Sequence, residues 1–266
     1  MNKKYIFCLF SLLLVITTSI IVICYQYKAP TLQHVPSLLS IPIDPQQTIT
    51  QSYNNWLDTE EKKIWQELSA QIGMSKEYCQ QLKKQWYEDY KKGEQETRHA
   101  EQHKNPISVA TQQRVLSILA DFNISAMPLV SWNDNSIAAG TDSFLFINER
   151  EFNKLSTQAQ KFIIGHEIQH YLNQDCSTNY VIKRHYRKAL GSLPKDHTVN
   201  KLYRFQEIRS DIKASLQSNE YTQGYVEFTQ SLMKKRENSG ITHPKNSLRL
   251  SIAQELMTHI SNNRLT

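Results

Sequence analysis

The chain has 266 residues, of which only 7 are glycine and 8 are proline, and its formal net charge is +6 at pH 7. Scarce glycine argues against a turn-rich β protein and favours helices. The basic excess is mild and is interleaved with acidic residues, as on an ordinary solvated surface, so no nucleic-acid partner is expected.

The chain begins with an apolar segment that is long enough to cross a bilayer. Residues 6–24 are almost wholly apolar, and two lysines precede them. This length exceeds the apolar core of a typical cleaved signal peptide, so residues 1–27 are predicted to be a signal anchor. We expect a single-pass membrane protein with a cytoplasmic N-terminus and its domain on the periplasmic or extracytoplasmic side. Cleavage near Ser19 and lipidation at Cys24 are the alternatives.

Half of the prolines fall in residues 28–48, which predicts an extended linker. Residues 49–266 are predicted to form one domain, with a helical N-terminal part (49–106) and a core (107–266). The pattern of apolar residues predicts helices at 107–122, 157–173, 200–217, 221–237 and 245–262, with two or three short strands within 124–148. The expected fold class is therefore α+β, mostly helical, with a small sheet before the helix at 157–173.

That helix carries the most informative motif of the chain, His166-Glu167-Ile168-Gln169-His170. Histidines at i and i+4 lie on one face of a helix, about 6 Å apart along its axis, and can bind one tetrahedral Zn²⁺. Glu167 can then act as general base on a water molecule. Thr157 and Gln160 resemble a capping box and place the start of the helix. The alternative is a pair of core histidines hydrogen-bonded to their neighbours.

A catalytic zinc needs a third protein ligand. Glu207 is the preferred candidate, and Asp211 lies one helical turn beyond it on the same face, where it can hold the second ring nitrogen of a ligand histidine. Alternatively, both acids are solvated surface groups beside nearby arginines. Cys176 is a possible but unusual ligand for a hydrolytic site, and the sequence leaves open whether it pairs with Cys79.

Three blocks of the chain together resemble the gluzincin metallopeptidases of the CAAX prenyl protease and HtpX type. They are Gly165 to His170, Glu207 with Asp211, and His243-Pro244 followed by Arg249. The resemblance covers roughly residues 107–262. It implies a zincin-like fold, a role for His243 in stabilising the oxyanion, and support by Arg249 through Asp211 or a backbone carbonyl. It also implies that an edge strand beside the metal pairs with the substrate, for which Ser143 to Ile147 is the candidate.

The expected function is a membrane-anchored zinc metalloendopeptidase, with protein or peptide substrates and envelope protein quality control as one role. His166, His170 and Glu207 are the expected metal ligands, Glu167 and His243 the catalytic residues, and Zn²⁺ the cofactor. The alternative is a non-catalytic zinc-binding or interaction domain tethered to the membrane. Zinc-dependent hydrolysis of a non-peptide bond is a third hypothesis.

Overall fold

The computed structural model describes residues 47–102, 106–132, 136–190, 198–235 and 243–262. The predicted anchor and residues 28–46 of the predicted linker lie outside these ranges. Within the ranges, no helix is both long enough and apolar enough to span a membrane.

The described residues form a mostly helical α+β fold with one small sheet, which confirms the predicted fold class. The elements in chain order are α1 (Ile49–Ile72), α2 (Lys76–Gln85), α3 (Tyr87–Gln102), α4 (Val109–Asp121), β1 (Leu129–Ser131), β2 (Ala138–Gly140), β3 (Leu145–Ile147), α5 (Glu149–Phe152), α6 (Thr157–Asn173), α7 (Asp175–Leu190), α8 (Thr198–Ser215), α9 (Asn219–Lys235) and α10 (Asn246–Asn262). The predicted helices within 157–262 match α6, α8, α9 and α10 to within two residues at each end, whereas α7 was not among them.

Helix α6 is the centre of the domain and is covered by α8, α9 and the sheet. Its apolar residues Ile164 and Ile168 are fully buried against Leu145 and Ile147 of β3. Helix α9 approaches so closely that a Cβ on Gly224 would lie 2.0 Å from the carbonyl oxygen of Gln158. This contact requires glycine, and it holds α6 tightly against α9.

The N-terminal cap of α6 is Ser156, so the predicted capping box of Thr157 and Gln160 is wrong. Ser156 has extended backbone angles, and its hydroxyl accepts from the Ala159 N–H at 3.1 Å. The side chain of Gln160 does not return to the cap. It donates instead to the carbonyl oxygens of Phe152 at 3.0 Å and Leu155 at 3.1 Å, at the end of α5 and just beyond it.

The sheet has the order β1-β3-β2, with β1 and β3 parallel and β2 and β3 antiparallel. The prediction that Ser143 to Ile147 forms an edge strand is therefore wrong. Strand β3, which lies within this segment, is between the other two strands, and all three of its residues are buried. A strand paired on both sides has no backbone groups left for a substrate. The edge strand that packs against α6 is β2.

Helices α1 and α2, from the predicted N-terminal part, pack on α8 and α7. Trp65 and Leu68 of α1 are buried, as is Leu82 of α2. In the described residues, the N-terminal helices therefore share packing with the helices around α6.

Candidate metal centre

Helix α6 places the two histidines of the motif edge to face, with ring centroids 4.7 Å apart. The Nε2 atom of His166 lies 3.1 Å from the Nε2 atom of His170. Helix α8 brings Glu207 to the same point, where its carboxylate oxygens lie 3.5 Å from His166 Nε2 and 3.6 Å from His170 Nε2. The structure thus brings together the three residues predicted as metal ligands, with ligand atoms within 4.8 Å of one another.

Behind His166 lies a buried carboxylate, that of Asp211. Its Oδ1 atom lies 2.8 Å from His166 Nδ1. Arg249 donates to both Asp211 oxygens at 2.7 Å, and the Tyr225 hydroxyl donates to Oδ2 at 2.8 Å. Of the two supports considered for Arg249, the structure shows contact with Asp211.

A second carboxylate, which was not predicted from the sequence, lies behind His170. Oδ2 of Asp175 is 2.9 Å from His170 Nδ1, and Arg209 donates to the other oxygen of Asp175. Both Asp175 and Arg209 are buried. Helix α6 ends at Asn173, and Gln174, in the left-handed region at φ 53°, turns the chain so that Asp175 folds back onto His170. The sequence feature that could have identified Asp175 is its position, five residues after the second histidine of the motif.

The donor set of this cluster fits a metal cation. Each histidine presents Nδ1 to a carboxylate, which can only accept, so the ring proton belongs on Nδ1 and the Nε2 lone pair is exposed. The two Nε2 atoms and the Glu207 carboxylate then converge as acceptors that have no hydrogen to share. Such a set is stable only with a proton or a cation between its members, and two imidazoles with one carboxylate are a common zinc ligand set.

In the absence of a cation, a proton on His166 takes its place between the acceptors. Burial opposes the charged form of His166, but the carboxylates of Asp211 and Glu207 outweigh it and raise the pKa of His166 to about 10. Burial likewise opposes ionisation of Glu207, yet the neighbouring histidines hold the pKa of Glu207 well below its usual value. The centre therefore keeps a negative Glu207 facing positive charge.

The motif glutamate, Glu167, is held by the sheet. Its Oε2 atom accepts from the Gly140 N–H of β2 at 2.6 Å. A Cβ on residue 140 would lie 2.6 Å from the Glu167 carbonyl oxygen, so glycine is needed for β2 to come this close. Gly140 was not singled out from the sequence, because its requirement arises only from contact between two elements.

The remaining sequence candidates lie around this core. The side chain of His243 is 59% exposed, and its Nε2 atom lies 3.7 Å from Glu207 Oε2, so it stands at the rim of the centre. Cys176 does not belong to the ligand cluster, because its thiol donates to the carbonyl oxygen of Gly140 at 3.2 Å. Cys79 and Cys176 are both thiols, with no disulfide between them.

Comparisons of the chain with known proteins provide no relative for this centre. No protein-family model matches the chain, and neither the curated proteins nor the solved structures include a match.

Proposed function

We propose that this protein is a zinc-dependent metalloendopeptidase of the gluzincin type, with a zincin-like fold and an N-terminal membrane anchor. The observation that carries the proposal is the acceptor-only cluster of buried His166 with partly buried His170 and Glu207, and Glu167 lies next to the first histidine. A carboxylate stands behind each histidine, as metal-ligating histidines usually require. His166, His170 and Glu207 would hold the metal.

When bound, zinc would act as a Lewis acid that polarises the scissile carbonyl and lowers the pKa of a water molecule to about 7. The chain's own residues do the rest. Glu167 accepts the proton of the attacking water and returns it to the leaving amine. The Gly140 N–H holds the Glu167 carboxylate in place without a flexible side chain. Asp211 and Asp175 fix the orientation of the two imidazole rings.

Strand β2 supplies the substrate-binding edge. Asn148 N–H donates to the Ile137 carbonyl and Thr141 N–H donates to the Phe144 carbonyl, so the backbone groups of residues 137 and 141 are turned toward β3. Because this orientation alternates along an antiparallel strand, Ala138 and Gly140 face away from β3. Gly140 meets Glu167 there, and Ala138 presents its N–H and C=O groups for pairing with an extended peptide. A peptide bound along this edge would bring its backbone alongside the general base.

His243 and Arg249 complete the site. His243 stands at the rim, where an imidazole can donate to the oxygen of a carbonyl under attack. Arg249 acts through Asp211, so it is a positioning residue for His166 and not a catalytic one.

A non-catalytic zinc-binding domain would use the same ligands, but it has no need of a base. The contact between Glu167 and the Gly140 N–H is what favours the peptidase, because a dedicated backbone donor holds a carboxylate that is not one of the three clustered ligands.

The test is casein cleavage by the full-length protein in detergent, beside the Glu167→Gln variant, with the zinc content of both measured. Cleavage by the wild type alone, with equal zinc in both, is the expected result. Zinc in both proteins with no cleavage of casein or of a diverse peptide library would favour the non-catalytic domain. Absence of zinc from both would overturn the metal site.

A further inference from the structure

A cavity of about 660 Å³ lies between α1–α3 on one side and α7–α8 on the other. Neither the two ligand histidines nor Glu207 lines it, so it is distinct from the metal centre. Its volume falls within the usual range for sites that bind small molecules. Its walls include several aromatic rings, those of Trp65, Trp86, Tyr87 and Tyr90.

The charges around the cavity favour an anion. Four lysines of α2 and α3 and Arg209 line it against three carboxylates, those of Glu61, Asp142 and Asp175. Two of the carboxylates are already engaged. Glu61 lies 3.1 Å from Lys76 and 3.4 Å from Arg209, while Asp175 is shared between His170 and Arg209. The cationic excess therefore rests on Lys83 and Lys84 of α2, because Lys76 lies beside Glu61 and Lys91 lies 4.0 Å from Glu94.

Lys83 is the most informative of these lysines because its ammonium group is partly buried. It donates to the carbonyl and side-chain oxygens of Gln174, at 3.3 and 2.9 Å, and to the Thr178 hydroxyl at 3.3 Å. All three acceptors are uncharged. Burial lowers the pKa of Lys83, although Asp142 raises it, so the charged form would gain from a closer negative partner.

Two buried polar atoms in the same lining lack hydrogen-bond partners among the described residues. They are Nε of Arg209, a donor, and Oδ1 of Asp142, an acceptor. The Arg209 side chain is only 6% exposed, so a missing partner is costly. A ligand that carries both an acceptor and a donor would satisfy the two atoms after the cavity wall shifts, because each atom exposes less than 1 Å² of surface.

We propose that this cavity is a binding site for a small organic anion that carries a flat ring and a hydrogen-bond donor. The anionic group meets Lys83, Lys84 and the unused Nε of Arg209. The ring lies against the aromatic walls, and the donor reaches Asp142.

The cavity also touches the support of the metal centre. Arg209 holds Asp175, which holds His170, so a ligand on the Nε atom of Arg209 fixes Arg209 from both sides. This part of the inference rests on the proposed metal site. With Asp175 held more firmly, zinc binds about fivefold or more tightly in the presence of the anion, and by reciprocity the anion binds more tightly to the zinc-loaded protein.

The test uses two probes of one shape, 6-hydroxy-2-naphthoate and its neutral amide. Each is titrated calorimetrically into the zinc-free full-length protein in nanodiscs, with empty nanodiscs as the blank. We expect the carboxylate to bind at least about tenfold more tightly than the amide. Equal affinities, or no binding of either probe, would overturn the proposal.

Two variants locate the binding. Lys83→Met should remove the preference for the carboxylate. Lys84→Met, at an exposed position, tests the same wall with less risk to folding, and it should weaken carboxylate binding severalfold. Lys63→Met is the matched control, because Lys63 pairs with Glu60 on α1 and does not line the cavity. An unchanged preference in both cavity variants would place the probe elsewhere and refute the site.

The coupling is measured separately, as zinc affinity with and without saturating 6-hydroxy-2-naphthoate. Unchanged or weaker zinc binding would refute the coupling while the cavity site stands. A protein that binds no zinc but still prefers the carboxylate would refute the proposed function alone.

Discussion

Asp211 and Arg249 form a buried pair whose loss should be far more costly than that of a surface pair with the same chemistry. Both contacts between them are 2.7 Å, and the side chains are 0% and 8% exposed. Asp89 and Arg184 lie at a similar 2.6 Å, but their side chains are 59% and 34% exposed. The first pair is buried and joined by two hydrogen bonds, and the second is exposed and joined by one, so the comparison sets a buried ion pair against an exposed one.

Asp211→Asn removes the charge and keeps the volume, which leaves Arg249 buried without its counter-ion. Breaking such a pair costs about 3–5 kcal/mol of unfolding free energy. For a domain of this size the melting temperature should fall by about 6–20 °C. Asp89→Asn should leave the melting temperature almost unchanged, because water and salt screen an exposed pair. Thermal and urea unfolding should be measured with a chelator present, so that metal loss does not contribute.

The double variant Asp211→Asn/Arg249→Met completes the cycle. Removing the stranded cation should restore part of the lost stability, because the cost of Asp211→Asn is mainly the uncompensated charge. Two results would refute the reasoning from burial. One is an equal shift of the melting temperature in Asp211→Asn and Asp89→Asn. The other is a double variant that is less stable than Asp211→Asn by the whole unfolding free energy that Arg249→Met costs alone.

Three further predictions concern the metal centre. Gly140→Ala should lower peptidase activity about 100-fold with zinc content unchanged. The added Cβ would lie 2.6 Å from the Glu167 carbonyl oxygen and would push β2 away from the base. Gly93→Ala is the control and should keep full activity, because a Cβ at residue 93 meets open space. Asp175→Asn should weaken zinc binding about 10- to 100-fold in a chelator competition, since it removes the carboxylate behind the second histidine, and an unchanged affinity would contradict that role. The pKa of His166 is raised to about 10 without metal, so zinc must displace a proton from this histidine. Apparent zinc affinity should therefore rise about tenfold per pH unit between about pH 6.5 and 8.5. A zinc affinity that does not change with pH would count against this competition.

The local parts of the candidate site could be predicted from the sequence because helical geometry alone determines them. Histidines at i and i+4 must share a face of α6, and Glu207 and Asp211 must share a face of α8. Spacing within a helix says nothing about which helices meet. The approach of α8 to α6 could therefore be expected only from the family resemblance. Of the two supports that the resemblance left open for Arg249, only the structure shows that it contacts Asp211.

The features that the sequence did not predict correctly all depend on backbone conformation or on contacts, which a local sequence pattern does not determine. Asp175 faces His170 because Gln174 adopts a left-handed conformation, and glutamine is not a residue that signals such a turn. Strand β3 was expected at an edge, but chain order does not give spatial order in a sheet, and β3 lies in the middle because β1 pairs with it in parallel. Ser156 precedes a second hydroxyl residue that could cap the helix, and only the observed hydrogen bond decides between the two.

The two histidines are supported by carboxylates from different helices, and each carboxylate is in turn held by an arginine from a further helix. Asp175 begins α7 and is held by Arg209 of α8, whereas Asp211 of α8 is held by Arg249 of α10. Local opening of either α7 or α10 would therefore loosen one ligand before the domain unfolds globally. The lifetime of the bound metal should follow the rate of these local openings, so hydrogen exchange in α7 and α10 and the rate of zinc release would report the same motion.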